Sequence, residues 1–364
     1  MFFISTGIVM LGLSSVFASV HVTRHFTLIL DKQSLVNGGN IYEKITVNGT
    51  SPGPELRVKV GDNLVVKVIN NIPNTSTTVH WHGMFQRGTP SNDGVIDMTQ
   101  CKIPSSENGK NVMIYKFKAF SAGSFWYHGH FQEQYVDGLY GALIVTDRKR
   151  AIYDSRKVVD NRAWTWLISD WYDSPADQLI GHYLSPESGG DEPTPDRFVL
   201  NGFLNNTFHV TANHQELILL RLINTAAFSM YNISIDGMPL TVVEIDGTPV
   251  EPLVIPYVIL NVAQRVSVKL DWDLLDDAVR SSPSIWIRVD GVPEMFPTLP
   301  DIIGSTSGVP LDMHWFGLIS FSTQGFRDEP IQPTYDTAPV LLNLDPPTDT
   351  NLLGASPVVA QVTS

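Results

Sequence analysis

One cysteine, Cys101, is present in the whole 364-residue chain. That excludes a framework of disulfides within the chain and any metal site built on several thiolates. It sits in Gln100-Cys101-Lys102-Ile103-Pro104, a loop-like stretch with no histidine beside it. The expectation is a small buried apolar group, with a free thiol and an intermolecular link as alternatives. Positive charge is also scarce: 24 Lys and Arg against 37 Asp and Glu leave a net charge of −13. A nucleic-acid partner, which needs a basic face, is therefore not expected. Long apolar runs are absent apart from residues 2–18, and those are short and interrupted by Ser and Gly, so no membrane span is expected. Val16 and Ala18 instead fit the small-residue rule before a cleavage point, which makes residues 1–19 an expected secretory signal peptide. Its early part departs from the usual pattern by having no Lys or Arg. Four N-x-S/T triplets, at Asn48, Asn74, Asn205 and Asn232, suit a glycosylated, secreted, extracellular chain.

Apolar content is ample. At 43% hydrophobic, the chain can fill real cores, and its length suits two domains of ordinary size. Strand-like runs recur at 26–30, 55–60, 63–69, 139–145, 163–168, 216–223, 266–270 and 285–289, separated by turn signals such as Asn37-Gly38-Gly39 and Ser51-Pro52-Gly53-Pro54. That spacing predicts an all-β sandwich architecture. Val58–Asn70 and Glu216–Asn224 read as the same strand in successive units. The charged Asp147-Arg148-Lys149-Arg150 is expected to connect the units, and the acidic loop containing Glu187, Asp191 and Glu192 to be solvated.

Two histidine pairs, His80-Trp81-His82 and His128-Gly129-His130, carry the chemistry. Side chains two apart on a strand point to one face, so two adjacent strands would aim four imidazoles into one volume. Neutral imidazole is a good ligand for copper, zinc and iron, which makes the four a candidate metal site. The remaining histidines after His130, at 182, 209, 214 and 314, have no such spacing, and no cysteine is placed for a thiolate–imidazole set.

The tracts Thr78-Val79-His80-Trp81-His82-Gly83 and Gly123-Ser124-Phe125-Trp126-Tyr127-His128-Gly129-His130 resemble the first two copper signatures of multicopper oxidases of the fungal laccase and ferroxidase type. Asn92-Asp93-Gly94, Thr99-Gln100-Cys101 and Gln134–Gly141 match the same family. The resemblance runs from about residue 22 to about 345 and is strongest over 45–147. It implies two tandem cupredoxin-like Greek-key β-sandwich domains, expected at 20–147 and 148–322. Residues 323–364 are expected to be the remnant of a third domain that is otherwise missing, because the family's last two motifs, H-P-x-H-x-H and H-C-H, do not occur.

By motif position the resemblance makes His80 a ligand of the type 2 copper, His82 and His128 ligands of one type 3 copper, and His130 a ligand of the other. Asp93 resembles the carboxylate that assists proton delivery, though Asn-Asp-Gly is equally a plain turn. Trp81, Trp126 and Tyr127 are expected to pack around the imidazoles, with plain core packing an equal alternative for each. Val136 and Ala227 stand where the family places a disulfide between its first two domains, and Phe228 where many laccases hold an acid in the phenol pocket. The implied activity is one-electron oxidation of a small reducing substrate, phenolic or ferrous, coupled to reduction of dioxygen to water. With half a trinuclear site and no type 1 ligands, the chain is expected to be inactive alone. The alternative is a non-enzymatic copper-binding protein that dimerises.

Overall fold

The computed structural model describes residues 22–147, 163–204, 208–212, 217–280, 282–296 and 313–321. The expected signal peptide, connector residues 148–150, sequon Asn205 and tail 323–364 lie outside them.

Residues 23–146 form two facing four-stranded sheets. Their strands are β1 (Thr23–Asn37), β2 (Asn40–Val47), β3 (Leu56–Lys59), β4 (Asn63–Asn70), β5 (Val79–His82), β6 (Val112–Lys118), β7 (Gly123–Gly129) and β8 (Tyr140–Thr146). One sheet has the order β2-β1-β4-β6, the other β3-β8-β7-β5. Strict alternation in β4 puts Leu64, Val66 and Val68 inward, where they meet Leu28, Leu30, Trp81, Phe125 and Tyr127 in one core. The expected segment 26–30 is the middle of a much longer strand, β1.

The second unit repeats the scheme. It comprises β9 (Trp164–Trp171), α1 (Ala176–Tyr183), β10 (Arg197–Leu200), β11 (His209–Ala212), β12 (Ile218–Asn224), β13 (Tyr231–Ile235), β14 (Leu240–Ile245), β15 (Thr248–Ile255), β16 (Val258–Leu260), β17 (Arg265–Leu270), α2 (Asp277–Arg280), β18 (Ser284–Gly291) and β19 (His314–Phe321). The sheet orders are β10-β9-β12-β17-β14-β15 and β11-β19-β18-β13-β16. Strands β4 and β12 correspond: each runs parallel to the opening strand of its unit, β1 or β9. Each also ends in an asparagine that closes the following turn in the same way. Asn70 accepts from the Ile72 N–H and donates to the Thr75 carbonyl, while Asn224 accepts from Ala226 and donates to Ser229, identical offsets in both. The architecture is all-β, two cupredoxin-like sandwiches in tandem.

Both faces of β7, β8 and β12 are buried, which explains their nearly unbroken apolar sequences. The faces turned away from each core meet one another: Trp126, Tyr140, Ala142 and Ile144 pack on Leu167 and Ile223. A buried polar cluster crosses the same boundary. The Ser124 N–H donates to Glu244 (2.9 Å), Arg221 donates to the Ser124 hydroxyl (3.1 Å), and Arg265 Nε donates to the Ser124 carbonyl (3.0 Å). A β-bulge between Val242 and Glu244 shifts the register of β14 so that Glu244 lies opposite Ser267.

Candidate metal centre

Strands β5 and β7 pair antiparallel, with His80 opposite His128 and His82 opposite Trp126. Cross-strand partners share a face, so these four side chains stand together. The alternate residues, Trp81, Phe125 and Tyr127, turn into the sandwich core, where Trp81 packs against Tyr115 and Phe117. The alternation of His-Trp-His and Trp-Tyr-His is thus the period of a strand with one face on the core and the other on the site.

The ligand nitrogens of His80, His82 and His128 all lie within 4.8 Å of one another. His130 follows the end of β7 and is exposed, anchored by its N–H to the Thr78 carbonyl (3.2 Å). Its ring lies 5.5 Å from that of His80 and 5.9 Å from that of His128. Of the four expected ligands, three form a compact set and the fourth stands at its rim.

The Nδ1–H of His80 donates to the Asp93 carbonyl (2.7 Å), and that of His128 to the Gly129 carbonyl (2.9 Å). Both contacts fix the tautomer and leave Nε2 of each ring with a free lone pair. The contact to Asp93 depends on Gly94, whose φ is +88°; a Cβ there would lie 2.0 Å from the Val79 carbonyl oxygen. The close approach of this turn to the β5 backbone brings Asp93 to His80. The Asp93 carboxylate lies 3.5 Å from His80 Nδ1 and is partly exposed, so the backbone carbonyl makes the tighter contact. Burial pulls His82 down to about 4 and His128 to about 3; it also lowers His80, opposed by Asp93. The rings are therefore neutral at physiological pH, the state a metal requires.

Trp126 stacks on His82 (centroids 5.0 Å apart) and lies 4.3 Å from His128, so it is the aromatic that holds the imidazoles. Trp81 and Tyr127 fill the core, the other of the two readings open for them. Cys101 also departs from expectation: it is exposed. In its loop, Ile103 enters the core, and its carbonyl and N–H pair with Thr77, which leaves Cys101 on the outer side. Glu187, Asp191 and Glu192 are solvated, and among the described residues the histidine set alone has metal-binding geometry. Two further side chains support the site. Gln134 bridges Thr77 and Ser76, ahead of β5, and Arg265 reaches the site from the second unit.

Two models described as multicopper oxidase match, over residues 30–150 and 162–277. The chain belongs to the multicopper oxidase family. It is 30% identical over 282 residues to Laccase-2 of Botryotinia fuckeliana, covering 73% of this chain and 45% of that protein. It is 34% identical over 261 residues to the iron transport multicopper oxidase FET3 of Candida glabrata, covering 70% and 39%. The crystal structure of Fet3p, a multicopper oxidase that functions in iron import, superposes with a TM-score of 0.71 at 27% identity, covering 88% of this chain and 56% of that one. The chain therefore spans about half or less of the length of these multicopper oxidases. No described helix is long and apolar enough to cross a membrane.

Proposed function

We propose that this chain supplies the N-terminal imidazole half of a laccase-type oxidase centre, with His80, His82 and His128 holding copper and His130 completing the set at the rim. The observation that carries this reading is the approach of three ligand nitrogens to within 4.8 Å, with the Nδ1 atoms of His80 and His128 already engaged by carbonyls. Three neutral imidazoles suit copper. When bound, copper would supply one-electron redox chemistry coupling a small reducing substrate to dioxygen. The protein's own part is to orient the rings and exclude water with Trp126. The Asp93 carboxylate, 3.5 Å from His80 and partly open to solvent, holds or releases a proton at the edge of the site.

The described residues provide no thiolate–imidazole set, and Cys101 is exposed in its loop. The pure chain is therefore expected to bind copper without the intense blue absorbance of a copper–thiolate bond and without oxidase turnover. Phe228, half-buried against Phe296, offers no carboxylate to a phenol, which counts against an ordinary phenol oxidase and leaves ferrous iron or a divergent substrate open. The exposed position of His130 also leaves room for a second copy to contribute imidazoles, the non-enzymatic reading. The test is copper per chain by elemental analysis after dialysis against a mild chelator. Retained copper that is lost in His82→Ala and His128→Ala supports the site. Equal and negligible copper in all three overturns it.

A further inference from the structure

We infer that Arg265, carried by the second unit, is a positioning residue for the imidazole site of the first: it braces Gly83 at the end of β5 and places a fixed positive charge behind His82 that favours cuprous over cupric copper. The inference rests on the copper reading above.

The geometry starts with Gly83. Its φ is +87°, and a Cβ built on it would lie 2.4 Å from Arg265 Nη2 and 2.8 Å from the Phe125 ring. The guanidinium therefore packs directly on the residue that follows His82, and the glycine is required by a side chain from the other domain as well as by its own backbone. Arg265 is held on several sides. Nε donates to the Ser124 carbonyl (3.0 Å), on the same strand as Trp126 and His128. Nη1 pairs with Asp246 (2.9 Å) and reaches the Ala263 carbonyl, and the guanidinium lies near the Phe125 ring. The Asp246 carboxylate also accepts the Arg265 backbone N–H (3.0 Å). A planar fork with this many fixed partners holds one position, as a lysine ammonium would not.

The charge follows from the burial. The Arg265 side chain is 7% exposed, whereas that of its partner Asp246 is 42% exposed, so water screens the negative end far more than the positive one. Glu244 faces the same guanidinium from β14, but a second buried arginine, Arg221, meets it at Ser124. A net positive charge therefore lies against Gly83, the residue next to His82. A positive field repels a dication more than a monocation, so cupric copper is penalised relative to cuprous at the same imidazoles.

The experiment measures the ratio of cuprous to cupric affinity by competition with chromophoric chelators specific for each state. Arg265→Met should move the ratio about tenfold toward cupric copper, which corresponds to a reduction potential about 59 mV lower. Asp246→Asn, a change at a half-exposed side chain that strips the counter-charge, should move it the opposite way, by roughly threefold. Arg265→Lys should recover most of the ratio. Opposite shifts in the two neutralising variants support the inference, since a merely structural disturbance would not change sign with charge. An unchanged ratio in both, or movement of both in the same direction, overturns it. Should Arg265→Met fail to fold, Asp246→Asn decides alone: a shift toward cuprous copper supports, no shift overturns. Failure of the unmodified chain to bind either state overturns the copper reading and this inference together, whereas binding with an unmoved ratio overturns the inference only.

Discussion

Glu244 is the residue whose loss the interface between the two sandwiches should tolerate least. It is 1% exposed, accepts the Ser124 N–H at 2.9 Å and the Ser267 hydroxyl at 3.2 Å, and lies in a cluster with two buried guanidiniums. Glu244→Ala removes the acceptor of a buried N–H, worth about 1–3 kcal/mol, and the carboxylate that offsets buried positive charge, for which losing one partner costs about 3–5 kcal/mol. The two effects share one carboxylate and do not add, so the expected loss is about 3–5 kcal/mol. Glu244→Gln keeps an amide oxygen for Ser124 and loses only the charge, and should still cost most of that amount. The assay is urea unfolding of the copper-free chain, followed by tryptophan fluorescence and by far-ultraviolet circular dichroism. A loss below about 1 kcal/mol for alanine, or a glutamine variant as stable as the unmodified chain, would refute the reasoning that the charge is what holds this boundary.

Gly94→Ala should weaken copper binding by at least about tenfold, because relieving a Cβ in contact with the Val79 carbonyl withdraws the Asp93 carbonyl that orients His80; chelator competition checks this. His130→Ala should retain copper where His128→Ala loses it, read by elemental analysis, since His130 stands outside the compact set. The copper-free chain should lose stability as pH falls below about 6.5: the unfolded chain then takes up protons on His82 and His128 that the fold resists until about 4 and about 3, so unfolding binds protons and acid favours it. Chemical denaturation between pH 7.5 and 4 measures the slope, and a flat profile would contradict the buried, neutral rings. Cys101 should react with a thiol reagent in the native chain as fast as in urea, and protection by folding would contradict its exposure.

The sequence carried most of the fold because the strands obey local rules. Alternation in Asn63–Asn70 and apolar runs in Ile218–Asn224 are properties of the strands themselves, and repeated turns separate them. The histidine site was legible for the same reason: two residues on one strand share a face whatever the rest of the chain does. The same period separates the aromatics, since Trp126 shares the face of His128 while Trp81 and Tyr127 turn to the core; what it does not give is the register, in which His82 meets Trp126 across the pair. Cys101 is exposed against expectation because a residue-type preference for burial says nothing about a loop in which the backbone pairs through Ile103.

Arg265 marks the limit of reading locally. Nothing within its own tract, Gln264-Arg265-Val266-Ser267, distinguishes it from an exposed basic residue at the start of a strand. Its role comes from packing one sandwich against the other, which puts it beside a glycine 182 residues earlier. The signal lies on the other side of that contact, in the glycine of a His-Trp-His-Gly tract, where a positive φ and the guanidinium both exclude a side chain. A glycine directly after a candidate ligand, at positive φ and without room for a Cβ, asks what fills the space, and here the answer is a charge from the second domain. The imidazole face of the first sandwich is therefore built by two domains even though all four histidines come from one. An isolated first domain should fold its β5–β7 pair yet lose the bracing of Gly83 and the field at His82, so its copper should sit more loosely and prefer the cupric state.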